Sequence, residues 1–95
     1  MPASSTVIHN AAAGQFEIHT GGGPALLRYA LRGDTIDLLH TEVADEFEGK
    51  GYGSALARAA LDYARGNKLT VVPTCPFVRS YLERHPEYAD LRRQN

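Results

Sequence analysis

Apolar and polar residues alternate with a period of two through the first half of the chain, and the period lengthens to a helical one after Gly53. Val7–His9 and Gln15–Thr20 read as two short strands around a flexible Ala11-Ala12-Ala13-Gly14 segment. In the second strand Phe16 and Ile18 alternate with Glu17 and His19, as in a half-buried strand. Gly21-Gly22-Gly23-Pro24 then marks a turn. Leu27, Tyr29 and Leu31 alternate with Arg28, Ala30 and Arg32, and Gly33-Asp34 supplies a tight reversal. In the run Thr35–Val43, Ile36, Leu38 and His40 fall on one face, and Asp37, Leu39, Thr41 and Val43 on the other. Short connections between these segments predict an antiparallel meander.

From Gly53 to Arg65, Leu56, Ala57, Ala60, Leu61, Tyr63 and Ala64 form a broad apolar stripe, with Ser54, Arg58, Asp62 and Arg65 opposite. Alanine and leucine favour this helix, and Gly66-Asn67 offers a left-handed end to it. Lys68–Val72 is a short β-branched run, predicted to be a buried strand parallel to an earlier one because a helix separates them. Thr74-Cys75-Pro76 opens a second helix with proline in its first turn. Phe77, Val78, Tyr81, Leu82 and His85 recur on its buried side until Pro86 stops it. The tail Glu87–Asn95 makes a further short turn around Tyr88 and Leu91, with Arg92 and Arg93 in solvent. The fold class is α/β: a mixed, mostly antiparallel sheet with two main helices. Residues 1–95 form a single domain, with 1–6 a flexible N-terminus and 87–95 a C-terminal tail.

Ninety-five residues and 10.4 kDa suffice for one hydrophobic core. At 43% hydrophobic and 22% charged, the composition is that of an ordinary folded domain. A net charge of -1 gives no general reason for nucleic acid or an anionic membrane as partner, and Arg84, Arg92 and Arg93 are too sparse to read a phosphate backbone. One cysteine excludes an intrachain disulfide framework and a multi-cysteine metal site. His9, His19 and His85 lack partners at ligand spacing, so no metal is expected. Without a targeting stretch or an apolar run of ~20 residues, a cytoplasmic location is the default.

Glu48-Gly49-Lys50-Gly51-Tyr52-Gly53 lies between a strand and a helix. Alternate glycines there expose backbone N–H groups at the positive end of the helix, a surface that binds phosphate or pyrophosphate, and Lys50 adds a point charge. The alternative is a tight strand-to-helix connection and nothing more. No Gly-Lys-Ser/Thr ending is present, which sets a P-loop aside. What strengthens the reading is the company: His40-Thr41-Glu42-Val43 ends the preceding strand and Thr74-Cys75-Pro76 follows the next. In an open sheet such strand ends share one rim with the helix starts.

In order along the chain, the segments Leu38-Leu39-His40-Thr41-Glu42-Val43, Glu46 to Leu56, Leu61-Asp62-Tyr63-Ala64, Val71 to Val78 and Tyr81 to Tyr88 resemble the GNAT superfamily of acyl-coenzyme A-dependent N-acetyltransferases, and more closely its very small single-domain branch. The resemblance covers roughly half to two thirds of the chain. It implies that the parallel strand pair splays apart and that acetyl-coenzyme A is wedged into the split. The backbone of Thr41, Glu42 and Val43 then pairs with the pantetheine arm, and the Val43 N–H lies near the thioester carbonyl. The amides of Glu48, Gly49, Lys50, Gly51, Tyr52 and Gly53 hold the pyrophosphate, and Cys75 and Pro76 complete the coenzyme-binding set. There are departures. Glu48 stands where the superfamily usually has Gln or Arg, and Leu82, not Tyr81, matches the tyrosine often proposed as general acid. Cys75 replaces a common asparagine, as is typical of the small branch. The resemblance therefore assigns no general acid.

The chemistry needs a deprotonated amine, a polarised carbonyl and a stabilised leaving thiolate. His40 has the intrinsic basicity to take a proton near neutrality, although a packed, hydrogen-bonded histidine would give the same pattern. Cys75, just before a helix start, is a candidate either to accept acetyl or to line the acetyl pocket; the plainer reading is a small buried residue. Glu42 and Glu46 orient a cationic amine or are exposed charges, and Glu42 alternates away from His40 unless a bulge intervenes. Tyr63 and Tyr81 are core aromatics. The function implied is acetyl transfer to a primary amine, a protein or peptide lysine first and a small amine second. A non-catalytic coenzyme A-binding module is the alternative from another class. The oligomer stays open between a monomer and a weak homodimer.

Overall fold

The structure is a computed structural model that describes residues 6–47 and 49–92. Five strands, β1 Val7–Asn10, β2 Gln15–Ile18, β3 Ala25–Arg32, β4 Thr35–Val43 and β5 Thr70–Val72, form one sheet in sequence order. The first four are antiparallel neighbours, and β5 runs parallel to β4. Helix α1, Tyr52–Gly66, makes the crossover between β4 and β5, and α2 spans Pro76–Arg84. The mostly antiparallel sheet with one parallel pair and two main helices is the architecture read from the alternation.

Several boundaries differ for local reasons. The Ala11–Ala13 segment is a 3-10 turn, capped by the Asn10 side chain accepting from the Ala13 N–H at 3.2 Å and closed by Gly14 at φ +69°. The positive φ expected at Gly66-Asn67 falls instead on Lys68, at +57°. There the Leu69 N–H donates to Ala64 C=O at 2.8 Å and the Lys68 N–H to Arg65 C=O at 3.3 Å, the paired bonds of a Schellman ending. In the tail, the turn around Tyr88 and Leu91 is a 3-10 helix, Pro86–Leu91, with both side chains buried, and Arg92 bridges to Val71 instead of standing free in solvent. Residues 1–5 of the expected N-terminal segment, Glu48, and residues 93–95 with Arg93 lie outside the described residues.

The main correction concerns β4. Arg28 pairs with His40 but Tyr29 pairs with Leu38, so Leu39 is an extra residue in the ladder. Past this bulge the faces exchange. Thr41 and Val43 pair with buried Leu27 and Ala25 and join the inner face of Ile36 and Leu38, while His40 moves to the outer one. That inner face, with Phe16, Ile18 and Tyr29, packs on Leu56, Ala57, Ala60, Leu61 and Ala64 of α1. Val78, Tyr81 and Leu82 of α2 close the same core. Burying each of the larger side chains contributes about 1.5–3 kcal/mol.

β5 pairs with β4 only from Thr35↔Thr70 to Asp37↔Val72. Beyond that the two arms separate, held by the Cys75 N–H donating to Leu38 C=O at 2.9 Å. On the outer side the buried Asp37 carboxylate accepts from the Thr74 hydroxyl at 2.5 Å and lies 3.6 Å from Arg32. This fork positions the site. Among the described residues, no helix is long and apolar enough to cross a membrane.

Candidate active site

Past the fork, the β5-facing edge of Thr41–Val43 has no strand partner among the described residues. It faces the start of α1. Gly49 and Gly51 hold φ of +84° and +83°, and a Cβ placed on either would meet nothing within 4 Å, so both present bare backbone to open space. The α1 ladder begins with the Ala55 N–H donating to Gly51 C=O at 3.0 Å, so the preceding first-turn N–H groups have no helical partner among the described residues at the positive helix end. At Gly53 the need is space: a Cβ there would sit 2.9 Å from the Phe77 ring. The two helix starts therefore meet face to face across a glycine.

Between β4 and these helix starts runs a groove of about 510 Å³, lined by Thr41, Val43, Phe47, Gly49, Gly51, Tyr52, Gly53, Ser54 and Phe77. Its size suits a small-molecule site. Six of the expected residues thus share one cavity. Phe47, Ser54 and Phe77 were not anticipated there. Phe77 had been placed in the core by its helical spacing, but it is one of the more exposed large apolar residues and covers Gly53. Phe47, alone among acidic neighbours in a loop, carried a readable signal: an aromatic ring in such a place needs a partner, and it has Tyr52, with centroids 5.5 Å apart.

Cys75 is buried at the inner end of the fork, with Sγ 3.3 Å from Thr41 Oγ1. Its backbone is extended, and Pro76 begins α2 directly after it. Burial pushes the thiol up, but the Thr41 hydroxyl and the N–H groups of Val78, Phe77 and Thr41 together outweigh it and leave it below its ordinary value. His40 does not meet this sulfur. It stands on the outer face of β4, its side chain 60% exposed, with Nε2 3.7 Å from Glu42 Oε1. Residues two apart in a strand share a face, so the expectation that Glu42 turns away from His40 is corrected. Lys50 is exposed beside the groove, its N–H donating to Phe47 C=O at 3.2 Å. Glu48 lies outside the described residues.

An unpaired strand edge, glycine backbone and a helix start line one groove beside a split sheet, an arrangement suited to an extended, phosphate-bearing ligand. The chain belongs to the GCN5-related N-acetyl-transferase family, whose model matches residues 15–91. It is accordingly an acetyl-coenzyme A-dependent acetyltransferase. Protein NATD1 of Xenopus tropicalis is 37% identical over 89 residues, covering 90% of this chain and 82% of that protein. Protein NATD1 of Homo sapiens is 36% identical over 83 residues, covering 84% and 74%. A GCN5-like protein from Staphylococcus aureus, solved by NMR in solution, superposes with a TM-score of 0.76 at 26% identity, covering 98% of this chain and 92% of that one.

Proposed function

We propose that the acceptor is the ε-amine of a lysine in a protein or peptide, reached from the outer face of β4. The observation that carries this is the exposed His40–Glu42 pair on the side of the fork opposite the groove. A long, thin side chain can reach it without any enclosing insertion. Acetyl-coenzyme A supplies an acetyl group activated as a thioester.

This chain's residues do the rest. The amides of Gly49 and of Gly51 to Gly53 bind the pyrophosphate, for about 2–3 kcal/mol in charge-assisted bonds, while the Lys50 N–H is held by Phe47 C=O. Thr41, Glu42 and Val43 offer their free backbone edge to the pantetheine arm, with the Val43 N–H as donor to the carbonyl, and Cys75 and Pro76 close the inner end. His40 Nε2 takes the proton that the incoming ammonium must lose, with the Glu42 carboxylate 3.7 Å away on the same face. With His40 and Cys75 on opposite faces, direct attack by the amine is the route we favour over one in which His40 activates the cysteine.

Release of coenzyme A thiol is measured with a lysine peptide, the same peptide with arginine for lysine and its N-terminus blocked, and spermidine. Turnover of the first alone supports the reading; turnover of spermidine alone overturns the acceptor assignment. His40→Ala should retain coenzyme binding and lose about 10²-fold or more in kcat, the usual worth of a positioned base. An unchanged kcat removes His40 from the proton path.

A further inference from the structure

The other glycine-rich loop, Gly21-Gly22-Gly23-Pro24 between β2 and β3, approaches the groove from behind its Phe47 wall. It is held from within: the Thr20 hydroxyl donates to Gly23 C=O and accepts from the Gly22 N–H, both at 3.0 Å. It is held from outside as well. The Ala44 N–H donates to Pro24 C=O at 2.8 Å, the Phe47 N–H to Ala44 C=O at 2.9 Å and the Lys50 N–H to Phe47 C=O at 3.2 Å. A relay of backbone bonds therefore runs from this loop through the 3-10 turn Asp45–Phe47 to the glycines before α1.

Gly22 and Gly23 lie outside the range of positive φ that disfavours a side chain. What excludes one there is space. A Cβ on Gly23 would sit 2.6 Å from Ala44 Cβ. A Cβ on Gly22 would sit 3.0 Å from Cζ of the Phe47 ring, 3.5 Å from its Cε2 and 2.8 Å from Glu46 Oε2. The Glu46 carboxylate ends a flexible, exposed side chain and can swing away. The half-buried Phe47 ring has less freedom, with Gly22 on one side and Tyr52 on another at a centroid distance of 5.5 Å. Phe47 and Tyr52 both line the groove, and the glycine loop is not part of that lining. A ring pushed off Gly22 is thus driven toward Tyr52 and the groove.

We propose that Gly22 is a positioning residue for the coenzyme: having no side chain, it lets the β2–β3 loop back the Phe47 ring closely and set it as a wall of the groove. Gly22 acts on the ligand only through that ring. Coenzyme binding in this groove rests on the acetyltransferase reading; the contact of Gly22 with Phe47 does not.

Coenzyme A affinity is measured by calorimetric titration of the full chain, well below its melting temperature, for the wild type, Gly22→Ala and Gly22→Val. Each is repeated in a Phe47→Leu background, because leucine lacks the Cε and Cζ atoms that a side chain at position 22 would meet. Gly22→Ala should weaken coenzyme A by roughly three- to tenfold, and Gly22→Val by more, as overpacking against a ring does. With Phe47→Leu the Gly22→Ala change should stay within about twofold, the non-additivity expected of two groups in contact. Glu46→Ala clears the other contact and should leave the Gly22→Ala penalty in place. Unchanged affinity in both Gly22 variants overturns the proposal, as does an equal loss with and without the Phe47 ring, or relief of the loss by Glu46→Ala. A merely structural role would lower the melting temperature of Gly22→Ala and leave the affinity of the folded protein where it was. Alanine alone gives the reading should valine prevent folding. A wild type that binds no coenzyme A counts against the groove assignment and removes both readings, whereas binding that ignores position 22 counts against the role of Gly22 alone.

Discussion

Glu17 shows how much one half-buried side chain can be tuned by its neighbours. Its Oε1 accepts from His19 Nε2 at 2.9 Å, and its Oε2 from Gln15 Nε2 at 2.6 Å and Asn10 Nδ2 at 2.8 Å. The His19 bond first, then those of Gln15 and Asn10, hold its carboxyl down from 4.5 to about 2. The folded value lies below the unfolded one, so the bonds stabilise the fold fully above about pH 4.5, and that contribution fades as the pH falls toward about 2. Glu17→Gln should therefore melt below the wild type at neutral pH, with the gap closing on acidification; thermal melts across that range check it. The period-two pattern put Glu17 on the solvent face, but it could not announce the three donors, which arrive from β1, β2 and the residue after β2. Leu39 is the opposite case. Adjacent apolar residues at Leu38-Leu39 are compatible with either face, so nothing in the alternation marks which one is squeezed out of the ladder, and His40 and Thr41 were assigned to the wrong faces together.

At the scale of elements, helix and strand existence followed from periodicity, while helix ends followed from tertiary context. The α1 stripe was legible because alanine and leucine at helical spacing admit one reading. Its end was not, since Gly66 and Asn67 both tolerate a left-handed conformation, yet the chain turns at Lys68 so that Leu69 can enter β5 against the core. A side chain in that region costs about 1–2 kcal/mol, and glycine gives back part of the gain through unfolded-state entropy. Lys68→Gly should accordingly stabilise the domain by roughly 0.5–1 kcal/mol, read as a higher urea midpoint with an unchanged slope. No change would mean that the Schellman bonds already compensate the strain. The glycine loop was legible as a helix start with open amides. Its second function, making room at Gly53 for the Phe77 ring, depends on α2 and has no local signature.

The molecule as a whole is organised by the point where β4 and β5 part. Three residue pairs hold the strands together, and the groove exists because the fourth never forms. Such a break invites fraying toward the core, and the outer-face bond from Thr74 to buried Asp37 lies at the last pair before it. Thr74→Val keeps the shape but leaves the carboxylate without its hydroxyl donor, a loss of about 1–3 kcal/mol for a buried acceptor. For a domain of this size that lowers the melting temperature by about 4–8 °C per kcal/mol. Because Thr74 immediately precedes Cys75, loosening it should also weaken coenzyme A binding, measured by calorimetric titration well below the melting point. If stability falls while affinity holds, the Cys75–Leu38 backbone bond alone keeps the arms at their working separation. If both fall, the latch on the outer face sets the width of the groove on the inner one, and the sheet transmits geometry from one side of the fork to the other.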